Sequence, residues 1–248
     1  MNETESAAAK HLASVTEELP AIVNRLSAKH GKPAFIEDGV DSRFLYEKPT
    51  WVTYQLAKAV RLVSAIRAAL ILLQYGHTVE ANALLRIIAD SIADTIFAQD
   101  AIKAGLNNAE QERDSTQFFE DFKDHPRLQY AGTFKMHRAE RKTIQAAQGR
   151  YFDESDPHRP RMLAAAIDHV LSGYIHGSYS TAMEMYAGGR DEFDMQGMLG
   201  STRVAESLQA LSYYVEMALG ALILLAINLR DHESLGRLTG LKDSFPTA

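Results

Sequence analysis

Residues 51–75 read WVTYQLAKAVRLVSAIRAALILLQY, and this stretch decides the fold class. Apolar residues recur at three- and four-residue spacing and surround the segment on nearly all sides at residues 68–73, which predicts a helix in the middle of a bundle. Gly76 ends this helix, and a second one is predicted over residues 78–104 with Thr78 as its cap. Because the gap between them is one turn, the two form an antiparallel hairpin.

The same helical pattern extends over most of the chain, with glycine and proline largely in the gaps and no convincing strand run. We therefore predict an all-α protein, a helical bundle of about five long core helices with a smaller polar helical cap. One domain spans residues 1–248, with its core at about 51–104 and 160–230, a peripheral helical insertion at about 107–157, and a long surface loop at 39–49. The predicted long helices cover residues 4–29, 51–75, 78–104, 160–186 and 201–230, and shorter pieces cover 109–124, 138–148 and 233–238.

The composition limits both partners and location. A formal net charge of −6 argues against wrapping duplex DNA, which requires many lysine and arginine contacts. The absence of cysteine excludes disulfides and thiolate chemistry, and together with an N-terminus that lacks a signal-peptide pattern it favours a cytoplasmic protein. Residues 210–229 are apolar over the length of a bilayer, but Glu216 interrupts them, which favours a buried bundle helix over a membrane span.

The familiar chemical motifs are missing from the sequence. It has no glycine-rich phosphate loop, no dinucleotide fingerprint and no nucleophile elbow, so no cofactor is predicted. His169 and His176 are separated by about 10 Å along one predicted helix, too far to share a zinc ion without other elements around them. We predict no metal site.

A stripe of small and polar residues runs along the predicted helix at 160–186. One interpretation is close helix packing, since small residues let two backbones approach each other. The other is a groove floored by glycine into which His176 projects, a side chain whose pKa suits proton transfer near neutrality. The stripe contains His169, Ser172, Gly173, His176, Gly177 and Ser180.

A second polar feature lies on the predicted helix at 78–104. Arg86 stands among aliphatic residues with Asp90 one turn later, and a guanidinium in such a place is usually held by a carboxylate or a bound anion. Arg61 and Arg67 on the preceding helix are similarly embedded in apolar sequence. The pattern predicts either a buried polar network or an anion pocket that could take a nucleotide.

Two short stretches carry a resemblance to a known family. They are ALLRIIAD at residues 83–90 and LSGYIHG at residues 171–177, and they resemble a group of bacterial helical proteins distantly similar to HEPN domains. The resemblance covers roughly residues 51–104 and 160–230. HEPN domains are helical bundles, commonly dimeric; many are metal-independent ribonucleases of toxin–antitoxin and phage-defence systems, and others are inactive binding modules.

The chain departs from the family pattern where the nuclease residues should be. The family's arginine and histidine lie a few residues apart on one helix, whereas Arg86 and His176 lie on different predicted helices and Arg161 and His169 are too widely spaced. The resemblance implies either a ribonuclease or an inactive relative. In the first case, His176 moves the proton and Arg86 stabilises the phosphorane charge, helped by Tyr174, while Asp90, Ser172, Arg61 and Arg67 contribute to binding of RNA or a nucleotide. The alternative is a non-catalytic, homo-oligomeric binding or assembly module.

Overall fold

Eight helices lie in the part of the chain that the computed structural model describes, which comprises residues 3–37, 42–46, 50–103, 105, 141–153, 155–187 and 192–245. The predicted all-α helical bundle is therefore confirmed. The helices are α1 (Glu3–His30), α2 (Trp51–Gln74), α3 (Thr78–Lys103), α4 (Arg141–Phe152), α5 (His158–Ile175), α6 (Tyr179–Met183), α7 (Thr202–Asn228) and α8 (His232–Asp243).

Local chemistry fixes where the central helix α2 begins and ends. At its start, the backbone N–H of Thr53 donates to the Thr50 side chain at 3.2 Å and the Thr50 N–H donates back to the Thr53 hydroxyl at 3.0 Å, a capping box. At its end, Gly76 adopts φ +80°. A side chain there would also meet the backbone of Leu199. The α2–α3 hairpin is thus tied to the chain segment before α7.

The main core lies between α2, α3 and α7, with α1 and α8 covering it. These helices have high leucine, isoleucine and alanine content, and each fully buried aliphatic side chain contributes about 1.5–3 kcal/mol. The centre is dry and aliphatic. Fully buried members include Leu19, Leu62, Ile66, Ile88, Leu211 and Leu219.

A smaller core attaches α4 to the bundle. Trp51 packs edge-on against Phe97 with ring centroids 5.8 Å apart, and Ile144 and Ala147 of α4 complete the cluster. The predicted polar cap therefore has a buried apolar face of its own, which brings its glutamines close to α3 and α5. The predicted helix at 109–124 and the rest of 106–140 lie outside the described residues.

The structure corrects three boundary predictions. Strands are present where none was predicted: β1 (Ala34–Glu37) pairs with β2 (Ser42–Leu45), which lies within the predicted loop at 39–49, and β3 (Tyr186–Ala187) pairs with β4 (Glu192–Phe193). The helix predicted over 160–186 ends at Ile175, because Gly177 takes the left-handed φ of +59° and the chain turns into α6. The predicted final turn at 233–238 is part of the longer helix α8.

Helix α7 is long and apolar enough to cross a membrane when only length and composition are considered. Its most apolar window has a mean hydropathy of 1.9, and half of that window is buried inside the structure. The helix packs against α1, α2, α3 and α8, as a core helix does. Length and hydropathy alone do not separate these two roles.

Candidate functional site

The polar centre of the bundle is an ion cluster around Arg86. This side chain is 12% exposed, and its Nη1 lies 2.6 Å from the Asp168 carboxylate on α5, while its Nε lies 3.3 Å from the Asp90 carboxylate one turn later on α3. Nη1 also donates to the Asp168 backbone carbonyl at 3.0 Å. The predicted pair of Arg86 and Asp90 is therefore joined by a carboxylate from another helix.

Asp168 is held from three sides. Gln145 of α4 donates to its second carboxylate oxygen at 2.8 Å, and Ser172 donates to its backbone carbonyl at 2.7 Å. Since this Ser172 hydroxyl bond lies within α5, the residue supports the helix near Asp168. Three helices thus meet at a single carboxylate.

This geometry determines the electrostatics of Arg86. One guanidinium faces two carboxylates, so its charge is already neutralised and both Nε and Nη1 are engaged. A phosphate would have to compete with Asp90 and Asp168, which are fixed in place and carry the same charge as the phosphate. The cluster therefore behaves as a buried ion network more readily than as an anion pocket.

His176 does not share this cluster. It is the C-terminal cap of α5, its backbone N–H donates to the Ser172 carbonyl at 3.0 Å, and its side chain is exposed. It follows Asp168 by eight residues, a distance of about 12 Å along a helix axis. His176 therefore lies at the end of α5, about two turns beyond the residue that binds Arg86.

The glycines near His176 close a corner of the backbone. Gly177 makes the turn out of α5, and Ser178 then caps α6. Gly173 is covered by the side chains of Ser178 and Thr181, and a β-carbon at that position would lie 3.2 Å from the Ser178 hydroxyl. Of the small residues in the stripe, Gly173 is in close contact, whereas Gly177 has open space around it and His169 is exposed on α5.

Tyr174 belongs to a second polar group further along α5. Its hydroxyl donates to the Glu184 carboxylate at 3.0 Å, and that carboxylate also pairs with Arg203 at 3.2 Å. Burial and the hydrogen bond to Glu184 raise the pKa of Tyr174 above its usual value. At neutral pH the hydroxyl is therefore a hydrogen-bond donor and not a proton acceptor.

Arg61 and Arg67 lie apart from both groups. Their side chains are exposed on α2, on the face that also carries Val60 and Ile71. The partners of Arg86 described above belong to α3 and α5. The predicted pocket in which Arg61, Arg67 and Arg86 together bind an anion is therefore not formed.

Beside the ion cluster lies a cavity that the sequence did not indicate. It has a volume of about 570 Å³ between α4, α5 and α7, with α3 as its floor. Its walls are largely apolar, and a second hollow of about 690 Å³ between α3, α5 and α7 shares Ile167, Tyr213 and Tyr214 with it. Volumes in this range are typical of small-molecule sites.

Two largely buried polar side chains line the first cavity and have no hydrogen-bond partner among the described residues. Gln148 of α4 is 8% exposed and Tyr214 of α7 is 7% exposed. No hydrogen bond joins the Gln148 amide or the Tyr214 hydroxyl to another described residue. Neither polar atom is among the fully buried atoms that have no partner, so both keep some accessible surface. Burial, with Tyr213 and Asp168 nearby, raises the pKa of Tyr214 to about 12, so the hydroxyl stays protonated. The cavity therefore offers free donors and an acceptor.

Several of these residues could have been found from the sequence and others could not. Asp168 follows the apolar run at 164–167, the same signal of an isolated charge that singled out Arg86. Gln145 and Gln148 lie in a polar stretch where nothing distinguishes a buried glutamine from an exposed one. Tyr214 lies beside Tyr213, and only packing separates the buried ring from the exposed one.

No group of histidine, aspartate and glutamate residues within the described ranges has the arrangement of a metal site. Comparison of the chain with models of known protein families, with curated proteins and with solved structures gives no match. The chemistry of the chain is therefore argued from its own geometry.

Proposed function

We propose that this chain is a non-catalytic helical binding module, an inactive relative of HEPN domains that works in the cytoplasm. The observation that carries the proposal is the state of Arg86, which is held by Asp90 and Asp168, while His176 is the exposed C-terminal cap of α5, eight residues after Asp168. General acid–base catalysis needs the proton-transferring group within hydrogen-bond reach of the reacting atom, with the charge-stabilising group beside it. These two residues do not satisfy that requirement together.

An assay of RNA cleavage tests this proposal directly. The unmodified chain is incubated with end-labelled single-stranded RNA in the presence of EDTA, alongside Arg86→Ala and His176→Ala. We expect the same background cleavage for all three proteins. Cleavage by the unmodified chain that His176→Ala abolishes, with an unchanged helical circular dichroism spectrum, would establish the ribonuclease and overturn the proposal.

Binding of RNA or a nucleotide has less support in the structure than the role of a binding module without chemistry. Arg61 and Arg67 are exposed and close in sequence on α2, so they provide only a local basic surface on a chain of net charge −6. Thermal unfolding with a panel of nucleotides is expected to give no shift. A shift that the Arg61→Ala, Arg67→Ala double variant removes would instead identify this face as an anion site.

We also propose that the chain associates with copies of itself, as an assembly module would. It is supported by an exposed apolar patch at the α2–α3 turn, formed by Ile71, Tyr75 and Leu199, which are 53%, 64% and 64% exposed. Contiguous exposed apolar residues of this kind are typical of contact surfaces. We expect light scattering to give a mass of at least two chains, with Ile71→Glu lowering it and Thr239→Glu, exposed on α8, leaving it unchanged. A monomeric mass for the unmodified chain would remove this part of the proposal.

A further inference from the structure

We infer that the cavity between α4, α5 and α7 binds a small uncharged molecule with a largely apolar body and one hydrogen-bonding group, which docks on Gln148 and Tyr214. This inference rests on the proposed binding function and identifies its ligand class. A failure to bind such a molecule would not show that the chain cleaves RNA. The inference and the proposed function can therefore fail separately.

The first step concerns the two polar side chains that border the cavity. A polar atom in a largely apolar cavity favours a ligand that offers it a hydrogen bond. Gln148 and Tyr214 are more than nine-tenths buried, face the cavity and have no hydrogen-bond partner among the described residues. Both polar atoms keep some accessible surface, so a ligand in the cavity can bond to them in place of water.

The second step is the charge balance around the cavity. Asp168 lines the cavity and is held by Arg86, which also pairs with Asp90, and Arg159 lines the cavity as well. These two cationic and two anionic side chains leave no net charge for a ligand to neutralise. An ionised ligand would lose hydration on entry with no net opposite charge to compensate it, whereas an uncharged molecule would not.

The third step is the shape and polarity of the walls. Ile92 of α3, Ile167 of α5 and Met217 of α7 present aliphatic and thioether surface to the cavity. Phe152 of α4, which is 48% exposed, stands at the cavity as well. A flat aromatic or alicyclic body fits such walls, and its burial supplies most of the affinity.

The chemistry of recognition follows from these groups. The Gln148 amide can donate from its nitrogen and accept at its oxygen, and the protonated Tyr214 hydroxyl can donate. An arylamine, an amide or an alcohol matches this set, because one N–H or O–H can donate to the Gln148 oxygen. A carboxylate or sulfonate would find donors but would also lie close to Asp168.

The probe for the test is N-phenyl-1-naphthylamine, an uncharged arylamine whose fluorescence rises in apolar sites. We expect a saturable signal with one site per chain. Ala164→Trp fills the cavity from α5 and should abolish the signal, while Ala57→Trp on the exposed face of α2 should leave it unchanged. The anionic probe 8-anilinonaphthalene-1-sulfonate should bind at least tenfold more weakly.

The polar contact has its own variant and control. Gln148→Leu keeps the cavity apolar but removes the amide, so it should weaken the arylamine on the order of tenfold, the value of one buried hydrogen bond. Displacement of the probe by 2-phenylnaphthalene, which has no polar group, reports the hydrocarbon affinity, and this should not fall in the same variant. A signal that is absent in the unmodified chain, or equal in Ala164→Trp and Ala57→Trp, overturns the inference. Equal arylamine affinity in Gln148→Leu would overturn the assigned polar contact.

Discussion

Helices α2 and α5 are both long, yet they relate to the rest of the protein in opposite ways. In α2, 13 of 24 residues are buried, so this helix is part of the structural centre. In α5, Leu171 alone of 18 residues is buried, although the helix carries Asp168 and borders both cavities. The comparison indicates that the buried core and the walls of the cavities belong to different layers, because a helix with little buried surface can border open space at low cost.

The largest expected loss of stability follows from a substitution in the buried core. Replacing Leu219 by alanine in α7 removes a fully buried side chain and leaves a cavity, which should lower the free energy of unfolding by about 3–4 kcal/mol. Leu163→Ala on α5, where the leucine is 58% exposed, should cost less than about 0.5 kcal/mol. Urea unfolding followed by circular dichroism measures both. Similar losses in the two variants would show that the α5 layer is as structural as the core.

A pair of glycines tests how firmly the core is joined to the segment before α7. Gly197 has φ +101°, and a β-carbon there would collide with the Tyr75 carbonyl, so Gly197→Ala should cost about 3 kcal/mol. Gly236, inside α8, has open space around it, and Gly236→Ala should instead stabilise the protein by about 0.5–1 kcal/mol. Thermal melting of both variants shows whether each substitution raises or lowers the stability. A neutral Gly197→Ala would mean that this junction can separate from the α2–α3 turn.

The ion cluster links the two layers, and its removal should have an intermediate effect. Arg86→Ala removes the guanidinium that both Asp90 and Asp168 contact, which we expect to cost about 2 kcal/mol, below the 3–5 kcal/mol typical of a fully buried pair. His176→Ala, at the exposed end of α5, should change stability by less than about 0.5 kcal/mol. Chemical denaturation provides the values. The reverse order would overturn the structural role assigned here to Arg86.

The smallest effect concerns pH. Burial lowers the pKa of His30, whose Nε2 lies 2.9 Å from the Thr53 hydroxyl at the start of α2. The unfolded chain therefore binds more protons than the folded one as pH falls below about 6.5, and stability decreases there. His30→Gln should flatten the dependence of unfolding free energy on pH between 7 and 5, while His232→Gln, exposed on α8, should not. An unchanged slope in His30→Gln would show that His30 is protonated equally in both states.

Sequence patterns predicted the helices well where burial is extensive. The predicted helix at 51–75 matches α2 within one residue, and that at 78–104 matches α3 equally closely, because both carry continuous apolar periodicity between clear end signals. The helix at 160–186 was predicted too long. Its apolar pattern continues past Gly177, and the left-handed turn there competes successfully with helix propensity.

The candidate site was predicted only in part. Arg86 and Asp90 were found because a charge within an aliphatic run must have a partner, and they do pair. Their main partner Asp168 lies 82 residues from Arg86, and spacing along one helix carries no information about that contact. Gln148 and Tyr214 became candidates only when the exposed fraction of each side chain and the cavity between three helices were known.

The sequence by itself determined the fold class, the central position of α2, α3 and α7, and the need of Arg86 for a partner. These follow from periodicity, capping and the cost of burying charge, all of which act within a few residues. The tertiary structure alone decided that Asp168 neutralises Arg86, that His176 caps the exposed end of α5, and that a cavity opens beside Gln148. Such features depend on how separate helices pack, which is set by contacts between residues distant in the chain.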